Sequence, residues 1–471
     1  MTIDGLPALA KKLACYQDFV WLDSASSSSA ENSISILAFE SSKTKSFRLG
    51  EGEAFDAFLN EAKEKPCSDS SLRFSGGWIG YIAYEAYSFN KQTPFKATHQ
   101  KDYPLAVFRY YDKFVYVDHG TGEISFVNKD GDKEWIAASA DGLLAMTETN
   151  SKTQTPQITH KTPKEKYSHD LSQIKSSLEN GDYLELNYTQ EFSCPFTKDP
   201  IDLYLHLRSI SPAPMMAYLG FPEIKVLSAS PERFFRIEDQ KITTYPIKGT
   251  IKRGQGKDDE ELKKELIASS KDQAELLMVT DMLRNDLGRV CELGSVQVNE
   301  VSKVHTFSHY HHLIAEITGR LKKALNLSDV FSALFPGGSI TGAPKVKAIQ
   351  EIDALENRAR GIYTGALGFI SNNGVVDFNI PIRTLTCKNN QLEFSTGGGI
   401  VVDSDIEKEY EECMIKAAGI FEAINAVGWF FSMHDFADSV GAGRDRPAGG
   451  ARPSPTMKNR LNEKNITFNS F

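Results

Sequence analysis

The sequence predicts an α+β protein, because its strands follow one another in groups and its long helices are set apart from those groups. Segments of strand-forming composition succeed one another at about 183–193, 215–220, 225–229, 232–237 and 241–245. Longer helical patterns cover about 258–286 and 405–424. Grouped strands with separate helices are typical of the α+β class. With 471 residues, of which 41% are hydrophobic, the chain can bury a core large enough for one large domain or two domains.

Composition argues against several classes of protein. The net charge of -9 gives no indication of nucleic-acid or membrane binding, and the chain has no run of about 18 apolar residues that would span a membrane. The 6 cysteines include no C-x-x-C pair, which argues against a zinc site or a disulfide framework and suits a reducing cytosol. No signal-peptide pattern is present at the amino terminus, so we expect a soluble cytoplasmic protein.

The chain is predicted to divide into two folded parts. Residues 1–146 form an N-terminal domain, with a helix at about 51–64 and strands at about 17–22, 33–39, 105–117 and 123–128. Residues 147–164 are almost wholly polar and are predicted to be a linker. A second domain follows at 165–425, and the Gly-, Pro- and Arg-containing segment 426–471 is predicted to be a disordered tail. The glycine-rich stretch 74–81 lacks G-x-G-x-x-G spacing, so closely packed backbone or a bulge is expected there.

One lysine of the second domain stands beside a turn. A strand-like run, residues 241–245, leads into Pro246, and Lys248 is followed by Gly249. Proline fixes the approach of the chain and glycine lets the backbone turn close to a ligand, so Lys248 would be presented at the end of a strand. A lysine in such a place is usually a solvated charge, and a catalytic role needs support from other residues.

The predicted C-terminal helix places carboxylates side by side. Ser404 and Glu407 have the spacing of a capping box. At about 100° per residue, Glu409, Glu412 and Lys416 fall on one arc beside an apolar face. Two carboxylates three residues apart repel unless a cation lies between them, and magnesium takes carboxylate oxygens. The alternative is a solvated face with an ordinary ion pair between Glu412 and Lys416.

Further residues fit an anionic ligand. Glu275 falls within an apolar arc of the helix at about 258–286, so it would be metal-bound or paired in a structural salt bridge. Gly397–Gly399, predicted to be a loop, would offer backbone N–H groups to an anion. Arg383, predicted to end an apolar strand, suits a carboxylate clamp, although a structural ion pair is commoner. The glycine-rich segment 335–345 has no G-K-[ST] ending and predicts no nucleotide. Together these features suggest a small polyanionic carboxylate held through a divalent cation.

A series of short motifs runs in one order through the second domain. The motifs are Ser228–Phe234, Pro246–Thr250, Ala274–Met278, Leu283–Val290, Phe335–Lys345, Gly361–Gly365, Asp377–Thr384 and Gly397–Lys416. In them the chain resembles the chorismate-utilising enzymes, and most closely the component I family of aminodeoxychorismate synthase in the para-aminobenzoate branch. The resemblance implies a large antiparallel-sheet sandwich with flanking helices, like that of anthranilate synthase component I, and a chorismate-binding catalytic domain at 165–425.

The resemblance also implies a reaction, the conversion of chorismate and ammonia to 4-amino-4-deoxychorismate for para-aminobenzoate and folate biosynthesis. The lysine at the position of Lys248 would attack C2 as the C4 hydroxyl leaves, and ammonia would then enter at C4 and expel the lysine. The amine must be neutral, so its pKa of about 10.4 has to fall or a nearby base has to take the proton. Anthranilate synthases have alanine at this position. The alternative function is that of anthranilate synthase component I, which aminates C2 with loss of pyruvate.

Matched motif by motif, the resemblance implies roles for further residues. Glu232 would be the acid/base at the C4 hydroxyl, and His312 would line the reacting ring. Magnesium would be bound by Glu275, Glu409 and Glu412. The substrate carboxylates would be bound by Thr341, Tyr363, Arg383, Lys416 and the amides of Gly397, Gly398 and Gly399.

The resemblance further implies a partner protein. No cysteine lies in the G-x-C-x-G turn of a glutaminase, so a separate glutamine amidotransferase subunit would supply the ammonia, in a heterodimer. Glu185 departs from the resemblance, because ammonia-using relatives usually have glutamine at this position. Isochorismate and salicylate synthases, which add water, have lysine there, so the absence of lysine disfavours water addition and leaves the role of Glu185 open.

Overall fold

The computed structural model describes residues 3–25, 34–62, 72–90, 97–128, 133–135, 158–254, 256–306 and 310–426. The described elements belong to one compact unit, Met1–Phe431. Most of the predicted linker, and all but the first residue of the predicted tail, lie outside the described residues.

Most of the α-helices of the described chain lie after residue 160. They are α1 (Leu6–Leu13), α2 (Gly52–Glu61), α3 (Lys164–Glu179), α4 (Pro200–Ile210), α5 (Lys257–Ala268), α6 (Ser270–Val290), α7 (Leu327–Leu334), α8 (Lys345–Glu356) and α9 (Ile406–Ala426). None of these described helices combines the length and the apolar character that crossing a bilayer requires.

The strands are distributed along the whole described chain. They are β1 (Val20–Asp23), β2 (Ile34–Ala38), β3 (Lys43–Phe47), β4 (Gly77–Ile82), β5 (Ala106–Tyr111), β6 (Phe114–Asp118), β7 (Ile124–Val127), β8 (Lys133–Trp135), β9 (Thr159–His160), β10 (Glu185–Pro195), β11 (Met215–Gly220), β12 (Lys225–Ser230), β13 (Arg233–Glu238), β14 (Lys241–Thr244), β15 (Ile247–Lys252), β16 (Gln297–Thr306), β17 (Tyr310–Arg320), β18 (Gly342–Ala343), β19 (Ala366–Ser371), β20 (Val376–Asn379), β21 (Thr384–Lys388) and β22 (Gln391–Ile400).

These strands form two antiparallel sheets. The larger is 12-stranded, with the order β18-β10-β22-β21-β12-β11-β1-β2-β6-β7-β8 and with β9 paired to β10. The smaller is 10-stranded, with the order β15-β17-β14-β13-β20-β19-β4-β5-β3 and with β16 paired to β17. The predicted α+β class, with large antiparallel sheets and flanking helices, is confirmed.

The main hydrophobic core lies between the two sheets. Apolar side chains reach it from the larger sheet (Val20, Ile36, Ala217, Leu219, Val226) and from the smaller sheet (Ile79, Tyr81, Val107, Leu367, Phe369). Burying a large apolar side chain stabilises a fold by about 1.5–3 kcal/mol, so this layer holds the two sheets face to face as a sandwich.

Strands from the two predicted parts of the chain are neighbours in both sheets. In the larger sheet β1 pairs with β11, and in the smaller sheet β4 pairs with β19. The glycine-rich stretch at 74–81 leads into β4 and includes most of it, and a Cβ atom on Gly80 would lie 2.0 Å from the carbonyl oxygen of Val107. The prediction of closely packed backbone in this stretch is therefore confirmed.

The single long helix predicted at about 258–286 is wrong, since the chain forms two helices there. α5 ends at Ala268, and Ser269 caps α6 by accepting a hydrogen bond from the backbone N–H of Asp272 at 3.3 Å. Both helices pack on the smaller sheet, where Leu266 and Leu276 contact Leu313 of β17 in one small apolar cluster. This packing brings the first turns of α6, which carry Glu275, next to β15.

Candidate active site

Lys248 lies on β15, and a β-bulge directs its side chain. β15 runs antiparallel to β17, and the register shifts between Lys248 and Thr250. Gly249, between them, has a φ of +71°, and a Cβ atom there would lie 3.0 Å from Cβ of Asp272. The sequence predicted the lysine at the end of the preceding strand. It stands instead near the start of its own strand, because Pro246 interrupts the ladder before β15 begins.

The ammonium group of Lys248 is surrounded by carboxylates. Its Nζ atom lies 3.1 Å from Oε1 of Glu185 and 3.8 Å from Oε2 of Glu275. Burial acts to lower the pKa of Lys248, but the charges of Glu185 and Glu275 outweigh burial and raise that pKa above its ordinary value. The environment therefore favours the protonated amine. The lysine has to transfer a proton to a neighbour before its amine is neutral.

Glu185 is the best-placed neighbour and is itself deeply buried. It is the first residue of β10, and its side chain is only 2% exposed. A Cβ atom on Gly399 would lie 2.0 Å from Oε1 of Glu185 and 3.3 Å from Nζ of Lys248. Glycine is therefore needed at position 399 for the carboxylate and the lysine to meet. Oε2 of Glu185 has no hydrogen-bond partner in the part of the chain that the structure describes.

Glu232 has the environment of a general acid. It lies between β12 and β13, is almost fully buried, and accepts a 2.7 Å hydrogen bond at Oε1 from Oγ of Ser339. Burial raises the pKa of Glu232 to about 7, while Ser339 and the nearby charge of Lys248 act against that rise. A carboxyl group with such a pKa is partly protonated at neutral pH and can give a proton to a leaving hydroxyl.

Of two adjacent histidines, His312 is the one beside the bulge. Its Nδ1 atom lies 2.9 Å from Oγ1 of Thr250, the residue it faces across the β15–β17 ladder. Burial, with a smaller effect of the Arg383 charge, lowers the pKa of His312 to about 3, so the imidazole is neutral. The side chain of His311 instead contacts Asp259, with its Nε2 atom 2.8 Å from Oδ1 of that residue.

The prediction of a glycine loop at Gly397–Gly399 is wrong, because these residues are part of β22. They pair with residues 187–189 of β10, whereas the pairing of β22 with β21 reaches only Phe394. Beyond Phe394, one edge of the strand has no strand partner among the described residues. Backbone N–H groups of a strand point alternately to its two edges, so this open edge still presents amides that can bind an anion.

The carboxylates of α9 lie on the other side of β22. Successive residues of a strand face opposite sides, and a Cβ atom on Gly398 would lie 3.4 Å from Nζ of Lys416 and 3.5 Å from Oε2 of Glu409. Nζ of Lys416 donates to the carbonyl oxygen of Gly397 at 3.1 Å and pairs with Oε1 of Glu412 at 2.8 Å. The Glu412–Lys416 pair considered from the sequence is thus present.

The start of α9 differs from the predicted capping box. The side chain of Asp405 accepts the hydrogen bond from the backbone N–H of Lys408 at 3.0 Å. The hydroxyl of Ser404 instead donates to Oε1 of Glu409 at 2.8 Å. The capping box between Ser404 and Glu407 is therefore wrong, and Ser404 positions the buried carboxylate of Glu409.

The three predicted magnesium ligands are separate in the structure. Glu275 is 22% exposed and faces Lys248 and Lys271, Glu409 accepts from Ser404, and Glu412 pairs with Lys416. Across the described ranges, no group of three or more His, Cys, Asp or Glu side chains is arranged to hold a metal ion. The donors nevertheless fit magnesium chemically, because it prefers carboxylate oxygens and shares its coordination with water and substrate.

The remaining predicted substrate ligands differ in what they can offer. Arg383 stands between β20 and β21 with a φ of +50°, and no described carboxylate pairs with its guanidinium. The hydroxyl of Thr341 donates within the chain, to the carbonyl oxygens of Gly337 and Gly338, so it would have to turn away from them to donate to a substrate carboxylate. Burial raises the pKa of Tyr363, which keeps its hydroxyl neutral.

Sequence reasoning left out two contributors to this site. Ser339, the donor to Glu232, lies within the glycine-rich segment 335–345, and only its position in that motif could have singled it out. Glu185 was noticed as an unusual residue, but its contact with Lys248 spans 63 positions of the chain and has no local signal.

Comparisons with known proteins identify the family. The family described as chorismate binding enzyme matches residues 17–422. Anthranilate synthase component 1 of Saccharolobus solfataricus is 36% identical over 363 residues, which are 77% of this chain and 84% of that protein. Aminodeoxychorismate synthase component 1 of Escherichia coli is 35% identical over 370 residues, which are 78% of this chain and 81% of that protein.

A solved structure agrees with these relatives. Anthranilate synthase component I from Streptococcus pneumoniae superposes with a TM-score of 0.71 at 28% identity, covering 82% of this chain and 92% of that chain. The predicted likeness to the fold of anthranilate synthase component I is therefore confirmed. The relatives include anthranilate synthases and aminodeoxychorismate synthases at almost the same sequence identity. They therefore establish the family but do not distinguish between these two reactions. The chain belongs to the chorismate binding enzymes and is a chorismate-utilising enzyme.

Proposed function

We propose that this enzyme converts chorismate and ammonia to 4-amino-4-deoxychorismate through a covalent adduct with Lys248. The observation that carries the proposal is the position of this lysine. Its ammonium group, on a side chain that is 15% exposed, lies 3.1 Å from the Glu185 carboxylate and is close enough to interact electrostatically with Glu232, a carboxyl group with a pKa of about 7. Displacement of a hydroxyl group requires a nucleophile that attacks the substrate ring and an acid that protonates the leaving oxygen.

The first half-reaction forms the adduct. Lys248 gives one proton to a neighbouring carboxylate, of which Glu185 is the nearest at 3.1 Å. The freed lone pair forms a bond from Nζ to C2 of chorismate, the two conjugated ring double bonds each shift by one position toward C4, and the bond from C4 to oxygen breaks. Glu232 gives its proton to the departing oxygen, which leaves as water. Lys248 is then bonded to C2 as a secondary ammonium group.

The second half-reaction releases the lysine. The lone pair of ammonia forms a bond to C4, the two double bonds shift back, and the bond from C2 to Nζ breaks with its electron pair returning to the lysine. Lys248 takes back the proton held by the carboxylate. Glu232 takes a proton from the new ammonium group at C4, so the enzyme returns to its starting protonation state.

Substrate binding is proposed to use the cations and amides around β22. Arg383 has no described carboxylate partner and suits a forked contact with a substrate carboxylate. Lys416 of α9 donates to the carbonyl oxygen of Gly397, and those amides of Gly397–Gly399 that point to the open edge lie on the same strand. Thr341 and Tyr363 complete the proposed substrate ligands, and His312 would line the ring as a neutral imidazole.

Magnesium belongs to the proposal as a bound cofactor. Glu275, Glu409 and Glu412 would bind it together with a carboxylate of the substrate, and the ion would neutralise the negative charge brought into the site. Glu409 is already oriented for such a role by the hydroxyl of Ser404, at 2.8 Å.

A separate glutaminase subunit is proposed as the source of ammonia. The support is the sequence itself, because no cysteine lies in the G-x-C-x-G turn that such an enzyme uses. The purified chain should use ammonium salts and fail with glutamine, and adding a glutamine amidotransferase subunit should confer use of glutamine. Use of glutamine by the purified chain alone would contradict this part of the proposal.

Amination at C2 to give anthranilate is the second candidate, favoured by relatives such as the 36% identical anthranilate synthase component 1. The deciding experiment incubates the purified chain with chorismate, magnesium and ammonium chloride, and identifies the products by liquid chromatography and mass spectrometry. We expect 4-amino-4-deoxychorismate without release of pyruvate. Anthranilate and pyruvate as the main products would overturn the first candidate and establish the second.

A further inference from the structure

One buried arginine outside the proposed catalytic set joins three segments of the site. Arg360 lies between α8 and β19, and its side chain is only 1% exposed. Its Nη1 atom donates to the carbonyl oxygen of Ile340 at 2.9 Å, and its Nη2 atom donates to the carbonyl oxygen of Asn187 at 2.8 Å. Arg360 also begins the segment that carries Tyr363, a proposed substrate ligand. The guanidinium therefore bridges segments that are far apart in the sequence.

The carbonyl group of Ile340 lies between two groups that the proposed reaction uses. Ser339, which precedes it, donates to Glu232 at 2.7 Å, and Thr341, which follows it, is a proposed substrate ligand. The carbonyl oxygen of Thr341 accepts from the backbone N–H of Asn187 at 2.8 Å, so this segment lies directly against β10. A group that fixes Ile340 against β10 therefore also fixes Ser339.

Arg360 is itself held at both its backbone and its side chain. Oε1 of Glu85 accepts from its backbone N–H at 2.6 Å. Its Nε and Nη2 atoms donate to the carboxylate of Glu356, with a shortest distance of 2.7 Å. The guanidinium also lies 4.7 Å from the centre of the Tyr84 ring. A buried charge needs such pairing and hydrogen bonds, and an arginine held in this way can hold other groups in place.

We propose that Arg360 is a positioning residue, which keeps Ser339 at hydrogen-bonding distance from Glu232 by fixing the carbonyl group of Ile340 against β10. This inference rests on the proposed function in one respect, which is that Glu232 protonates the leaving hydroxyl. Arg360 acts on the reaction through Ser339. A purely structural ion pair with Glu356 would stabilise the fold without affecting the protonation of Glu232, so an experiment can separate the two roles.

The protonation of Glu232 reports the positioning role. Burial raises the pKa of Glu232, while the hydrogen bond from Ser339 and the charge of Lys248 on β15 oppose that rise. Arg360 has no described hydrogen bond or ion pair with Lys248, so a variant of Arg360 acts on Glu232 through Ser339. When the Ser339 bond weakens, the pKa of Glu232 rises, and the alkaline limb of kcat/KM moves to higher pH.

Arg360→Lys is the informative variant. Lysine keeps the positive charge that pairs with Glu356, but its ammonium group lacks the planar fork that reaches two carbonyl oxygens and a carboxylate together. Arg358→Lys is the matched control. Arg358 pairs with Oε2 of the same carboxylate at 3.3 Å and donates to Oγ1 of Thr189 at 2.6 Å, with no described hydrogen bond to Ile340.

Thermal melts first identify the variants that fold. If Arg360→Lys does not fold, the double variant Glu356→Gln/Arg360→Gln takes its place, because it replaces the ion pair without leaving either of its charges buried and unpaired. Initial rates of chorismate consumption, with ammonium chloride and magnesium in excess, give kcat/KM at each pH. Chorismate consumption follows the reaction whichever aminated product forms, and chromatography of the same samples identifies that product.

We expect the alkaline limb to move to higher pH by about one unit in Ser339→Ala and by about half a unit or more in Arg360→Lys, since each loses or weakens a hydrogen bond to a charged group. The double variant Ser339→Ala/Arg360→Lys should shift no further than Ser339→Ala, because both changes act through one bond. Arg358→Lys should keep the limb of the wild type.

Three outcomes overturn the inference and leave the proposed function standing. They are a limb that stays in place in Arg360→Lys while it moves in Ser339→Ala, a shift in the double variant equal to the sum of the two single shifts, and an equal shift in Arg358→Lys. If neither Ser339→Ala nor Arg360→Lys moves the limb, the role of Glu232 as the acid fails and the inference fails with it. Anthranilate as the main product, with the expected shifts, overturns the proposed function alone.

Discussion

Oγ of Ser339 donates a 2.7 Å hydrogen bond to Oε1 of Glu232, and this bond opposes the effect of burial on the proposed acid. The two residues lie 107 positions apart. A hydrogen bond to a carboxylate favours its charged form. Ser339 therefore helps to set the pH range in which Glu232 can give a proton to the leaving hydroxyl.

The first prediction concerns this pH range. A general acid must be protonated, so activity should fall as the pH rises through the pKa of Glu232, which is about 7. Ser339→Ala removes a bond that favours the carboxylate, so that pKa should rise and the alkaline limb of kcat/KM should move to higher pH. Profiles of kcat/KM against pH for the wild type and the variant test this. An alkaline limb that stays in place, or moves to lower pH, would contradict the assignment.

A second prediction uses two neighbouring glycines as variant and control. A Cβ atom on Gly399 would lie 2.0 Å from Oε1 of Glu185, whereas one on Gly398 would meet nothing closer than 3.4 Å. Gly399→Ala must therefore displace the Glu185–Lys248 pair, and we expect kcat to fall about a hundredfold because reacting groups misplaced by about 1 Å lose that much.

Gly398→Ala should retain most of the activity, with a folded state of similar thermal stability. Steady-state rates and thermal melts of both variants provide the measurement. Equal losses of activity in the two variants would contradict the prediction. They would mean that the added methyl group disturbs the strand β22 itself and not the Glu185–Lys248 pair.

Local sequence signals predicted the fold class well, because strand and helix patterns depend on near neighbours. The strands at 215–220 and 225–229 were found almost to the residue, as β11 and β12. The order of the motifs also identified Lys248 and Glu232 as candidate catalytic residues. The contacts that set their protonation could not be predicted from local sequence. Glu185 and Ser339 lie in distant segments of the chain, which only the folded structure brings next to Lys248 and Glu232.

The wrong predictions share a physical cause, which is tertiary structure overriding local preference. Three consecutive glycines favour a loop by composition, yet Gly397–Gly399 form a strand. A Cβ atom on Gly397 would lie 2.3 Å from the carbonyl oxygen of Tyr188, so the missing side chains are what lets β22 lie against β10. Ser404 and Glu407 had the right spacing for a cap, but Asp405 is one residue closer to the helix and serves instead.

A third prediction tests magnesium binding on α9. Removing divalent cations with a chelator should abolish amination, and added magnesium should restore it. Glu409→Gln should raise the magnesium concentration for half-maximal activity by about tenfold or more, since even residues that only support metal ligands have effects of about 10- to 100-fold. Glu411→Gln on the same helix is the control, because Glu411 is exposed.

Magnesium titrations of activity, with calorimetry of magnesium binding in the presence of chorismate, separate affinity from turnover. The proposed ligand role of Glu409 would be excluded if both variants required the same magnesium concentration as the wild type. A lower kcat in Glu409→Gln at an unchanged magnesium requirement would likewise place Glu409 in substrate binding rather than at the metal.

The last prediction concerns Lys248 itself. Lys248→Ala removes the proposed nucleophile, so formation of 4-amino-4-deoxychorismate should fall on the order of 10³-fold or more. The variant should also show no adduct by intact-protein mass spectrometry. Lys252→Ala changes an exposed lysine on the same strand and should keep wild-type activity. A Lys248→Ala enzyme that still forms the product at the wild-type rate would exclude the covalent route.

Stability gives an independent check on the same residue. Lys248→Ala leaves the 2% exposed carboxylate of Glu185 without its cation, and breaking one partner of a buried ion pair destabilises proteins by about 3–5 kcal/mol. The partial exposure of Lys248 places the expected loss at or below the lower end of that range. Adding Glu185→Gln to Lys248→Ala should recover part of the loss, because the uncompensated charge is then removed. Urea unfolding of the two single variants and the double variant measures this coupling, and strictly additive losses would mean that the two side chains do not interact in the folded enzyme.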